Sequence, residues 1–106
     1  MSNVSTFNLA DYTNSRFDCM TLGGMCAFID GVAKTCPERA KEAVDRYVSW
    51  LQYCAVKNGR QETLLDSTNK ARTNIEWCIG YFNSQRERNL LFELFGSAFG
   101  RKERKK

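Results

Sequence analysis

Apolar side chains recur at steps of three and four residues along most of this chain, which is the spacing of one face of an α-helix. The first such segment covers residues 11–34 and has its most regular apolar positions from Leu22 onwards. Gly23 and Gly24 lie inside it, and paired glycines weaken a helix. We therefore predict a first helix with a kink at these glycines, preceded by a flexible arm formed by the polar residues 1–10.

The second predicted helix has a boundary signal at each end. Residues 35–38 read Thr-Cys-Pro-Glu, a capping-box pattern with Thr35 as the N-cap and proline in the first turn. The helix is expected to stop at Asn58-Gly59, because glycine readily adopts the left-handed conformation of a helix C-cap.

A third helix is predicted from about Arg60, with apolar positions at unbroken steps of four and three. Such a seam packs against neighbouring helices of the same chain or of another subunit. Residues 84–87, Ser-Gln-Arg-Glu, form a second capping-box pattern. They leave two alternatives: a new helix over residues 85–98, or a third helix that continues through them.

Residues 90–99 are apolar on almost every side, and a helix of that kind has to be buried by something. We expect self-association, with a dimer favoured, through Leu91, Leu94, Phe95 and Phe99. The predicted fold is all-α: a small three- to four-helix antiparallel bundle with a kinked first helix, completed by self-association. Residues 1–100 then form a single helical domain.

The net charge of +4 comes entirely from the C-terminal residues 101–106. This tail takes five of the sixteen basic residues and one of the twelve acidic ones, so residues 1–100 hold eleven of each. A terminal basic cluster binds nucleic acid by neutralising phosphates, and behind an apolar helix it can also attach a protein to an anionic membrane. We place nucleic acid first, an inert solubilising end second and membrane attachment third.

The composition argues against catalysis and against a metal or cofactor. The chain has no histidine, which is the commonest general acid–base, and its five cysteines include no CxxC pair. No stretch is apolar for the roughly 18 residues that a transmembrane helix needs, and the N-terminus lacks the pattern of a signal peptide. We therefore expect a non-enzymatic protein of a reducing, cytoplasmic compartment.

Two helix faces combine positive charge with aromatic surface and are candidate nucleic-acid contacts. With the tail, the candidate residues are Arg39, Arg46, Trp50, Tyr53, Lys57, Lys70, Arg72, Arg86, Arg101, Lys102, Arg104, Lys105 and Lys106. The competing interpretation is that the aromatic residues of these faces flank the core as boundary residues, and we favour it for the faces taken alone.

The leading functional hypothesis is a self-associating helical protein that contacts nucleic acid, including RNA, through its tail and a basic helix face. The alternative is a protein-interaction module or inhibitor that covers a partner's surface. A small, Asn-rich, histidine-free helical chain of this kind is typical of virus- or phage-encoded accessory proteins.

Overall fold

A computed structural model of the chain describes residues 7–99. These residues form five α-helices, α1 (Asn14–Asp18), α2 (Leu22–Thr35), α3 (Ala40–Lys57), α4 (Leu64–Ile79) and α5 (Gln85–Ala98), with short 3-10 turns at Leu9–Asp11 and Pro37–Arg39. Helix accounts for 78% of the described residues, and no strand occurs among them. The predicted all-α class is confirmed.

The core lies where α3 and α4 pack against each other and against α2 and α5. Each long helix contributes the apolar stripe that its periodicity predicts. The largest fully buried apolar side chains are those of Phe28, Phe95, Leu9, Ile29, Ile75, Ile79 and Val32.

The first predicted helix is in fact two helices, so the expected kink at the glycine pair is wrong. The chain leaves α1 at Cys19 and restarts at Thr21, whose Oγ1 accepts a hydrogen bond from the backbone N–H of Gly24 at 3.1 Å. A threonine N-cap satisfies one of the unpaired N–H groups of a helix start. Both glycines therefore lie in the first turn of α2 and not at a kink.

The last residues of the predicted arm are packed and not flexible. Leu9 is only 1% exposed, and the Phe7 ring lies 5.2 Å from that of Tyr12 and 6.3 Å from that of Phe28. Phe7 also covers Gly31 so closely that a Cβ added there would overlap its ring. Residues 1–6 of the predicted arm lie outside the described residues.

The capping box predicted at residues 35–38 does not form. Thr35 is the last residue of α2, and Cys36 leaves the helix with φ −146° and ψ 63°. The residue before a proline is disfavoured in the helical region, which explains why the chain breaks at Cys36 and restarts at Pro37. The predicted stop of α3 is confirmed, since Asn58 caps the helix and Gly59 has φ +74°.

The capping motif of α4 was missed, whereas that of α5 was found. Thr63 accepts a hydrogen bond from the N–H of Asp66, whose carboxylate accepts one from the N–H of Thr63, so α4 begins at Leu64 and not near Arg60. Ser84 caps α5 by accepting from the N–H of Glu87 at 3.3 Å. The separate helix over residues 85–98 is the correct alternative.

Several apolar side chains of α5 and the residue after it are buried within the same chain. Leu91 and Phe95 are 2% and 1% exposed, and Leu94 and Phe99 are partly buried against the same core. These are the four residues predicted to join two copies. Leu91 and Phe95 are instead buried in the core of their own chain, and for the partly buried Leu94 and Phe99 the assignment stays a prediction. Among the apolar side chains of α5, Leu90 and Phe92 stay exposed.

Candidate functional site

The cations at the start of α3 are paired with one carboxylate. Arg39 donates to Glu42 through Nε and Nη2, both at 2.9 Å, and Arg46 donates to it through Nη2 at 3.0 Å. The hydrogen bond from Arg46, followed by that from Arg39, holds the pKa of Glu42 below its ordinary value. Arg46 also donates to the carbonyl of Tyr12 at 3.4 Å. Two of the predicted phosphate contacts are therefore already engaged within the fold.

Trp50, the predicted stacking residue of α3, is held inside an aromatic cluster. Its Nε1 donates to Asp18 Oδ1 at 2.6 Å, and its ring centre lies 5.6 Å from Tyr47 and 5.8 Å from Phe17. Both its polar group and its ring thus have partners in the chain. This geometry agrees with the boundary-residue interpretation, not with a base-stacking role.

Of the remaining predicted helix residues, Lys57 and Arg72 each lie over an aromatic ring of the chain. Lys57 lies 5.3 Å from the ring centre of the exposed Tyr53, and Arg72 lies 4.6 Å from the ring centre of Phe99. Arg86 is exposed in the first turn of α5. Within residues 7–99, none of these three cations forms an ion pair. The tail residues 101–106 lie outside the described residues.

Lys70 belongs to a charge network centred on Glu62, in the loop between α3 and α4. The Glu62 side chain is only 7% exposed and accepts from Lys70 at 3.0 Å, from Ser67 at 2.9 Å and from Arg60 at 3.4 Å. The hydrogen bond from Lys70, then that from Ser67, lowers the pKa of Glu62. The network fixes the loop, so Lys70 has a structural role of its own.

An apolar groove opens between the start of α2 and the edges of α3 and α4. Its cavity volume is about 280 Å³, and Leu22, Met25, Tyr47, Trp50 and Trp77 are among its lining residues. We call it the Trp77 groove. None of the residues that line it is charged. Its polar atoms include the Asn74 amide, which donates to the hydroxyl of Tyr47 at 3.2 Å.

Trp77 forms one wall of this groove and is nevertheless 60% exposed. Its ring centre lies 5.0 Å from that of Tyr81, which is 53% exposed. Ala71, Ile75 and Cys78 of α4 are buried in the core, whereas Trp77 and Tyr81, which follows the end of the helix, stay outside it. Neither Trp77 nor Tyr81 is among the candidate site residues predicted from the sequence.

Within residues 7–99, neither a cluster of metal-ligating side chains nor an activated thiol at Cys26 or Cys78 is found. No group of three or more metal-ligating side chains occurs within residues 7–99. Burial raises the pKa of Cys26 and raises that of Cys78 to about 11, so neither thiol is activated. Cys19 is exposed, whereas Cys78 is buried. Over the same residues, no helix has the length and apolar character required to cross a bilayer.

No family model matches this chain, and neither the curated proteins nor the solved structures contain a match to it.

Proposed function

We propose that this protein is a non-enzymatic interaction module that binds a partner protein through the Trp77 groove. The observation that carries the proposal is a tryptophan 60% exposed at the wall of an apolar groove. Tryptophan, tyrosine and methionine are enriched at protein interfaces, and the residues that dominate binding fill pockets near the centre of the contact. An exposed apolar patch beside a concavity is what such a site requires.

The pairing of the helix-face cations supports protein over nucleic acid as the partner of these faces. Arg39, Arg46 and Lys70 are held by Glu42 and Glu62, so a phosphate would have to displace a carboxylate at each of them. The groove contributes no cation of its own. A surface with an apolar floor and no positive lining suits an apolar side chain of another protein better than a charged backbone.

Selection from a displayed library of random peptides tests the proposal. The protein is immobilised sparsely, and enriched peptides are compared on wild type, Trp77→Ala and Leu90→Ala. Leu90 is the matched control because it is 59% exposed and lies on α5, none of whose residues lines the groove. We expect peptides with bulky apolar anchors that bind Trp77→Ala at least tenfold more weakly and bind Leu90→Ala unchanged. The proposal is contradicted if the selection yields no peptide that binds wild type more tightly than Trp77→Ala.

The second candidate is nucleic-acid binding by the tail. It is favoured by one observation, the concentration of the whole net charge in residues 101–106. Deleting these residues should flatten the dependence of log K on log salt by up to about four or five units, because each neutralised phosphate contributes roughly 0.7–0.9.

The helix faces are tested separately by the double variant Lys57→Ala and Arg86→Ala, which removes two exposed cations that form no ion pair within residues 7–99. If only the tail binds, this variant keeps the wild-type salt slope. Absence of salt-dependent binding by the intact chain at low ionic strength rules out this candidate function.

A further inference from the structure

The Trp77 groove presents a protrusion and a concavity side by side on one surface. Trp77 projects from α4 with 60% of its surface exposed, and the cavity beside it is floored by Met25 and Tyr47. A surface that carries both shapes can pair with its own copy across a two-fold axis, since each contact in such an interface occurs twice. A flat partner surface would leave the groove unfilled while it packed against Trp77.

We infer that the occupant of this groove is a second copy of the chain, with Trp77 of each protomer packed over the groove of the other. This inference rests on the proposed function and adds the identity of the partner. It places self-association at the edges of α2 and α4, whereas the sequence placed it on α5, where Leu91 and Phe95 belong to the core.

The exposed area fits the core of a small interface. At the exposed fractions of 60% and 53%, Trp77 and Tyr81 present roughly 250 Å² of aromatic surface per copy. Pairing two copies covers roughly 500 Å², about a third of the ~1,600 Å² buried in a standard interface. Since an interface has an apolar core and a polar rim, this share fits the core of a weak, transient dimer.

The charge distribution permits this pairing. Residues 1–100 hold eleven basic and eleven acidic side chains, so two such bodies carry no net repulsion. Phe99, the last described residue, lies beneath Arg72. Arg72 and Trp77 are five residues apart, which is about 140° around α4. The described chain therefore ends on a different side of α4 from the groove.

Sedimentation of the full chain between about 1 µM and about 1 mM tests the inference. We expect the mass to rise from 12.2 kDa towards twice that value with increasing concentration. Trp77→Ala should raise the dissociation constant at least tenfold, whereas Leu90→Ala should leave it within about twofold of wild type. Because Trp77 is exposed, both variants should keep the helical circular-dichroism spectrum and melting temperature of wild type, which separates loss of pairing from loss of fold.

Two outcomes overturn the inference. One is a monomer over the whole concentration range, and the other is a dimer that is lost in Leu90→Ala but kept in Trp77→Ala. If the chain stays monomeric while groove-dependent peptides are enriched, the groove binds a different protein and the proposed function stands. If neither a dimer nor a peptide depends on Trp77, both proposals fail.

Discussion

The two tryptophans of this chain have nearly the same position in the sequence pattern and opposite situations in the fold. Each lies on a helix edge just outside the apolar seam, Trp50 on α3 and Trp77 on α4. Trp50 has Asp18 on its indole nitrogen and two aromatic rings against its own. Trp77 is 60% exposed and contacts one neighbouring ring, that of Tyr81.

The difference comes from a segment that is distant in sequence. Asp18 lies 32 residues before Trp50, and α1 brings both Asp18 and Phe17 against α3. Helix periodicity alone determines the side of a helix on which a tryptophan lies; another segment determines whether that side is covered. Trp50 is therefore part of the fold, and Trp77 is available to a partner.

Replacement of each tryptophan by alanine should give the largest difference in stability between the two sites. Trp50→Ala should lower the free energy of unfolding by about 2–3 kcal/mol, because it removes a half-buried ring and the partner of Asp18. Trp77→Ala should change it by no more than about 0.5 kcal/mol at concentrations where the protein is monomeric. Urea titration followed by circular dichroism measures both values. Equal losses in the two variants would contradict the assigned roles.

The hydrogen bond from Trp50 to Asp18 should account for a smaller part of this difference in stability. Asp18→Ala removes an acceptor at 2.6 Å from an exposed site and should cost about 1 kcal/mol. In the double variant with Trp50→Phe, the two losses should not add, since both remove the same bond. Additive losses would show that the bond contributes nothing measurable to the stability of the α1–α3 contact.

The Glu62 network of the α3–α4 loop should make the stability of the fold depend on acid pH. Hydrogen bonds from Lys70 and Ser67 hold the pKa of Glu62 below its ordinary value of 4.5. Its carboxylate therefore stabilises the fold above that pH, and the contribution is lost as the pH falls through the lowered folded-state pKa. The difference in unfolding free energy between wild type and Glu62→Gln should shrink from about pH 6 to about pH 3.

Glu93→Gln is the matched control for the acid experiment. Glu93 is exposed on α5 and has no ion pair within residues 7–99. Its variant should keep the wild-type pH dependence between the same limits. A parallel response of the two variants would mean that the Glu62 network does not contribute to acid stability.

The fluorescence of two single-tryptophan variants should distinguish the exposed Trp77 from the half-buried Trp50. Trp50→Phe leaves Trp77 as the single emitter, and we expect a red-shifted spectrum that acrylamide quenches efficiently in dilute protein. Trp77→Phe leaves Trp50, whose emission should be shifted to the blue and quenched less. Protection of Trp77 at higher protein concentration would agree with pairing at the groove. Equal quenching of the two variants at low concentration would contradict the burial difference.

Local signals predicted much of the fold. The stop at Gly59 and the start at Ser84 were found because each depends on residues within one turn of the helix end. The kink at Gly23 was wrong because a nearby threonine cap decided where α2 begins. The capping box at Thr35 was wrong because the proline restriction on Cys36 prevailed over the cap.

The site was less predictable because its decisive contacts are not local. The four-residue spacing of Glu42 and Arg46 is visible in the sequence, and it already indicates a paired arginine. The approach of Asp18 to Trp50 is not visible, since it depends on how α1 turns back onto α3. The groove between α2 and α4 likewise exists only after packing, so Trp77 could be noted from the sequence but not assigned to a cavity.

The packing of Phe7 against Gly31 constrains which substitutions this sequence can accept during evolution. A methyl group at position 31 would collide with the ring, so a larger residue there requires the Phe7 side chain to shift or to be replaced by a smaller one. Gly96, in contrast, has no atom within 4 Å of an added Cβ and can accept alanine with a gain in helix propensity of up to about 1 kcal/mol. Among relatives of this chain, the residues at positions 7 and 31 should therefore covary, whereas the residue at position 96 should vary independently of other positions.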